Sequence, residues 1–90
     1  MTAKTLQTCL ALVALGSASL AWAGPNCTTE SRDKWQDETA FQKKLKADGY
    51  AIAKFKVTKG NCYEIYGKDS SGKKVEIYFN PVDGKPVESH

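Results

Sequence analysis

Between Asn61 and Asn80 the sequence alternates twice around a polar turn, and that pattern leaves the chain few ways to fold. Cys62–Gly67 and Lys74–Asn80 are rich in Tyr, Ile, Val and Phe, residues that suit a pleated, half-buried surface. Lys68-Asp69-Ser70-Ser71-Gly72-Lys73 between them is turn chemistry. Successive side chains of a strand point to opposite faces. Val75, Ile77 and Phe79 therefore share one face of the second strand, and Tyr63 and Ile65 one face of the first. Glu64 and Tyr66, with Cys62, share the other face of the first strand, and Glu76 and Tyr78 that of the second. A hairpin with one apolar face must be covered, and the rest of the chain is what can cover it.

Little chain remains for that task once the start is set aside. Leu6–Leu20 is apolar and small, follows a single positive charge at Lys4, and ends in Ala21-Trp22-Ala23. That order reads as a cleaved secretory signal peptide over residues 1–23, too short for a membrane span. Cys9 leaves with it. Removing 23 of the 90 residues leaves 67, with 12 Lys and Arg against 10 Asp and Glu, or +2. So small an excess, mixed in sign along the chain, argues against a nucleic-acid partner. Two cysteines remain, Cys27 and Cys62, and in an exported chain they have one intramolecular pairing. In the chain-entropy account, closing a loop of that length is worth about 4 kcal/mol, comparable with the whole stability of so small a domain.

The order of elements follows. Residues 24–34 read as an irregular segment anchored only by Cys27, and residues 35–90 as the domain. Trp35 is expected to lid one end of the core. Asp37–Asp48 reads as a helix, with Asp37 as N-cap, Phe41 and Leu45 on one face, Gly49 as the left-handed C′ residue and Tyr50 folding back. Tyr50–Thr58 is a strand whose pattern slips between Ile52 and Phe55, and a bulge near Ala53-Lys54 restores it. Gly60 and Asn61 supply a turn, Pro81–Lys85 another, and Pro86–Glu88 a short edge strand ending in a frayed His90. The fold class is α+β, one short helix packed on a three- to four-stranded antiparallel meander, the helix covering Ile65, Val75, Ile77 and Phe79.

The residues offer little for catalysis. His90 is the one histidine, so no nucleophile–base pair and no zinc ligand set is in view, and no cofactor is expected. The cysteines are too far apart for a C-x-x-C redox site. Gly67, Gly72 and Gly84 read as isolated turn glycines. Glu64 and Glu76 can lie near each other on the outer face as a carboxylate pair, but such a pair needs burial to acquire acid/base character, and they read as solvated strand residues paired with lysines such as Lys54, Lys56 or Lys74. The notable surface is the outer face, Glu64, Tyr66, Glu76 and Tyr78. Either the N-terminal segment covers it, or it, or an open sheet edge, meets a partner.

A family resemblance gathers these pieces. Cys27-Thr28-Thr29-Glu30, Asp33-Lys34-Trp35, Asp48-Gly49-Tyr50, Gly60-Asn61-Cys62-Tyr63-Glu64-Ile65-Tyr66-Gly67, Asp69–Phe79 and Asn80–Val87, in that order behind a leader, resemble the small exported PepSY-domain proteins of Gram-negative bacteria. The resemblance implies a helix packed on an antiparallel sheet, a periplasmic location and no catalytic residues. PepSY domains also occur in peptidase propeptides. The first expectation is therefore a periplasmic, non-catalytic binding or regulatory module that restrains a peptidase or modulates an envelope protein. The alternative is a redox-responsive or small-ligand-binding periplasmic protein. The expected partner is a periplasmic protein, not nucleic acid, with no membrane anchor after leader removal.

Overall fold

In a computed structural model, residues 24–90 are described; the leader read over 1–23 lies outside the described residues. A 3-10 turn (Arg32–Lys34) precedes helix α1 (Glu38–Ala47), and four strands follow: β1 (Ala51–Val57), β2 (Tyr63–Lys68), β3 (Lys74–Phe79) and β4 (Pro86–Ser89). They form one antiparallel sheet in the order β1-β2-β3-β4, a plain meander.

The helix is set by its ends. The Asp37 carboxylate accepts from Ala40 N at 2.9 Å, satisfying an N–H that the first turn leaves unpaired. At the other end Tyr50 N donates to Leu45 O and Gly49 N to Lys46 O, both at 3.0 Å, with Gly49 at φ +103°. Those two bonds are the Schellman closure, and it turns the chain straight into β1. Of the helix only Phe41 and Leu45 are buried. They pack on Tyr63, Ile65, Ile77 and Phe79 to make the core. The apolar stripe is too narrow for a free helix, so α1 depends on the sheet.

The bulge falls at Ala53. Ile52 pairs with Gly67 and Lys54 with Tyr66, leaving Ala53 as the extra residue, and Ile52, Phe55 and Val57 all pack against the core. The same bulge accounts for Gly67, which is a strand residue and not a turn residue. A Cβ there would stand 2.0 Å from Ala51 O. The ten-residue helix does not cover the whole inner face: Val75 and Ile52, at the end away from Tyr63, stay half-buried.

Two further expectations need correction. Cys27 is not the sole anchor of the N-terminal segment. Thr28 O accepts from Asn61 Nδ2 at 3.4 Å, Glu30 O accepts from Trp35 Nε1 at 3.0 Å, and Gly24 lies against the Tyr78 ring. Nor is His90 frayed. It exchanges two backbone hydrogen bonds with Glu76, at 2.8 and 2.9 Å, and so carries the β3–β4 ladder to the chain end. In the β1–β2 turn only Asn61 takes positive φ. Gly60 is required for closeness instead, since a Cβ would lie 2.1 Å from Pro25 O.

Candidate functional site

Strand register lays the outer face out in rows. Lys56, Glu64, Tyr78 and Glu88 are consecutive partners across β1, β2, β3 and β4 and form one row. Lys54, Tyr66, Glu76 and His90 form the next. The four residues singled out from the sequence, Glu64, Tyr66, Glu76 and Tyr78, thus sit together at the centre of the face. The two rows have different fates.

The centre of the first row, Glu64 and Tyr78, is covered, and its ends at Lys56 and Glu88 are not. Cys27 and Cys62 are joined by a disulfide, which brings the segment starting at Gly24 across this end of the sheet. Gly24 rests on the Tyr78 ring and Pro25 on Gly60. Glu64 is only 2 % exposed and Tyr78 5 %. Glu64 is therefore not the solvated residue that its alternation suggests. Its Oε1 lies 3.9 Å from Lys56 Nζ, and its Oε2 is buried with no hydrogen-bond partner. The second row is open. Tyr66 is 38 % exposed, with Lys54 Nζ 5.9 Å from its ring centroid.

Charge on this face is tightly linked. Burial first, and the nearby Glu76 carboxyl second, push the Glu64 carboxyl up. The same proximity holds Glu76 down, with the Tyr78 hydroxyl, which donates to Glu76 Oε2 at 2.9 Å, adding to the effect. Two adjacent carboxyls part in this way because both cannot ionise freely. The Glu64 and Glu76 carboxyls push the Tyr66 phenol up to about 12. Burial, then the bond to Glu76, raise Tyr78.

Two hollows meet at Tyr66 and Glu76, one on the outer face and one at the sheet end, where Ile52 and Val75 of the inner face also line it. One of about 520 Å³ lies among Lys56, Val57, Thr58, Lys59, Glu64 and Tyr78. The other, about 670 Å³ and mostly apolar, lies among Ala51, Ile52, Ala53, Gly67, Val75 and His90. Tyr66 and Glu76 line both. Sequence reasoning missed the small residues of this second hollow and His90. The Ala51-Ile52-Ala53 run just before the slipped register was the signal available for it. A third, shallower hollow sits by Arg32, Trp35 and Asp37, where the Arg32 guanidinium stacks 4.4 Å above the Trp35 ring. Among the described residues no three His, Cys, Asp or Glu side chains are grouped to hold a metal, and no helix is long and apolar enough to cross a membrane.

One helix over one face of a four-stranded meander, with an amphipathic opposite face half closed by a disulfide-held segment, defines a small α+β module. The family model for the peptidase propeptide and YPEB domain matches residues 6–90, and the chain belongs to that family, PepSY. Its members are non-catalytic regulatory modules of the propeptide kind. Comparison with curated proteins and with solved structures gave no match. The disulfide and the family together fit an extracytoplasmic protein.

Proposed function

We propose that this protein is a periplasmic binding module that regulates a partner through the second row of its outer face. The observation that carries the reading is Tyr66, an exposed aromatic shared by both hollows and flanked by Lys54 and Glu76. Aromatics beside small, apolar hollows are the usual anchors of protein interfaces. The sheet edges are weaker candidates. β1 carries a bulge with Lys54 and Lys56, and β4 begins at Pro86 and has its own register shift between Tyr78 and Phe79. Bulges, edge lysines and proline all discourage strand addition. A periplasmic peptidase is the first partner to test, since the family includes peptidase propeptides.

The test is capture and inhibition with the chain starting at Gly24. An envelope protein retained on a column of the wild type, or a periplasmic peptidase slowed by it, supports the reading, provided that Tyr66→Ala weakens the effect at least tenfold. No capture and no slowed peptidase would remove it.

A second reading has one observation in its favour. The 670 Å³ hollow is of a size that holds small molecules. Loss of partner capture on adding an apolar small ligand would favour it. The redox form of that reading is tested by a glutathione series. Because Cys62 is inaccessible, the bridge is expected to resist reduction to about −300 mV, as structural disulfides do.

A further inference from the structure

The end of β2 away from Cys62 adds a third row to the outer face. Lys68 and Lys74 are direct partners across β2 and β3, and alternation puts them on the same side as Tyr66 and Glu76. Like charges set directly opposite each other destabilise a sheet. Among the described residues neither lysine makes an ion pair. The acids close by are engaged elsewhere. Asp69 Oδ1 accepts from Ser71 N at 3.0 Å, Ser71 Oγ at 2.7 Å and Lys73 N at 3.0 Å, all inside its own turn. Glu76 Oε2 accepts from the Tyr78 hydroxyl, and Glu88 Oε2 lies 2.8 Å from His90 Nε2. The facing lysines are therefore a small uncompensated cost to the fold.

That pair borders the larger hollow. Both lysines line it, and so do Ala51, Ala53, Gly67 and Val75, which make the lining mostly apolar. Tyr66 lines it from the second row, with Lys54 Nζ 5.9 Å from the ring centroid. The volume is about 670 Å³, yet the mouth is wide: Ala51, Ala53, Tyr66, Lys68 and Lys74 are all exposed. Sites that hold a small molecule enclose most of it. An open hollow suits one large side chain of a longer chain instead. Its apolar lining favours an aromatic or aliphatic group, and the lysine pair favours carboxylates beside that group.

We propose, on the reading that a partner meets the second row, that the larger hollow takes an apolar side chain from an extended acidic peptide segment of that partner, with Lys68 and Lys74 holding carboxylates in the residues next to it. An anionic bilayer shares the sign of such a segment. It is flat, however, and is drawn to a broad basic surface, whereas Glu76 and Glu88 share this face with the lysines.

The test uses protein purified from its host and short end-blocked peptides with Phe, Leu or Ser at the centre and Glu, Ser or Lys on both sides. Phe or Leu between glutamates is expected to bind with a Kd tighter than about 1 mM and to shift the NMR amide signals of Ala51, Ala53 and Gly67 more than those of Thr58 and Lys59. Added salt should weaken that binding. Serine at the centre, or lysine at the flanks, should abolish it. With Lys68→Gln and Lys74→Gln together, binding should weaken about fivefold or more and lose most of its salt dependence. The Tm of that double variant should equal or exceed the wild-type value, because a like-charge pair is gone. A lower Tm would show that the lysines serve the fold and would count against the site. No binding by the acidic peptides, equal binding by lysine-flanked ones, an unaffected double variant, or binding only to vesicles of anionic phospholipid overturns the proposal. The broader reading is judged separately on the column. An envelope partner released by Tyr66→Ala but kept by the double variant overturns the acidic segment alone, and one that both variants retain removes the second row as well.

Discussion

Tyr63 joins three parts of the molecule through a single side chain. Its ring lies 5.1 Å from Phe41 on the helix, 5.1 Å from Phe55 on β1 and 5.7 Å from Trp35, centroid to centroid, and its hydroxyl donates to Gln36 O at 2.6 Å. Edge and tilted contacts of this kind add to what burial alone supplies. Tyr63→Phe keeps the ring and leaves the Gln36 carbonyl without that donor. The expected cost is about 1–2 kcal/mol, seen in thermal melts as a fall of several degrees. Tyr66 gives a second expectation. A phenol raised to about 12 stabilises the fold fully below its unfolded value near 10, and that contribution is lost as pH rises toward 12. Phenolate absorbance should therefore contain a step near pH 12 that Tyr66→Phe removes; a step near 10 lost in that variant would contradict the geometry. Alternation along β2 and β3 shows that Glu64, Tyr66, Glu76 and Tyr78 share a face. It is silent on what lies over that face. Gly24, distant in sequence, lies against the Tyr78 ring beside Glu64, a crossing that no local pattern encodes.

At the scale of elements, legibility follows locality. The helix was readable from both ends because Asp37, Gly49 and Tyr50 act within a turn or two of their own positions. Asp37→Ala should cost about 1 kcal/mol, and by circular dichroism the loss should appear as a lower Tm with an unchanged folded spectrum. An unchanged Tm would show that the cap bond contributes nothing. The bulge was also legible, because it breaks a period of two within β1 itself. The reason for Gly67 was not, since the atom that forbids a side chain there is Ala51 O on the neighbouring strand. The full length of β4 was hidden for the same reason: Ser89 and His90 carry no strand signal of their own, and it is Ile77 and Glu76 across the ladder that hold them.

For the whole molecule, the order of elements was enough to define one helix on an antiparallel meander, and the cysteine count enough to pair Cys27 with Cys62. The disulfide does two things at once. It shortens the unfolded chain's freedom, and it lays Gly24–Cys27 across the first row. Replacing both cysteines by serine should cost about 4 kcal/mol, and in so small a domain that brings the fold close to its limit. Should the variant remain folded, its Glu64 carboxyl should titrate closer to the ordinary range, since burial is the main cause that raises it. A Glu64 still raised in a folded variant would mean that the N-terminal strip is not its cover. What the sequence could not show is which part of the outer face stays open, because among the described residues that is decided by where the Gly24–Cys27 strip crosses the sheet.

The central claim is that the open second row, at Tyr66, is where this module meets its partner. It is tested most directly by placing a photoreactive residue at position 66, with a control at Lys43 on the exposed side of α1, and irradiating intact cells that make and export the protein. The account expects a discrete crosslinked partner from position 66 and none from position 43. A partner captured from the helix side, with position 66 silent, would contradict it.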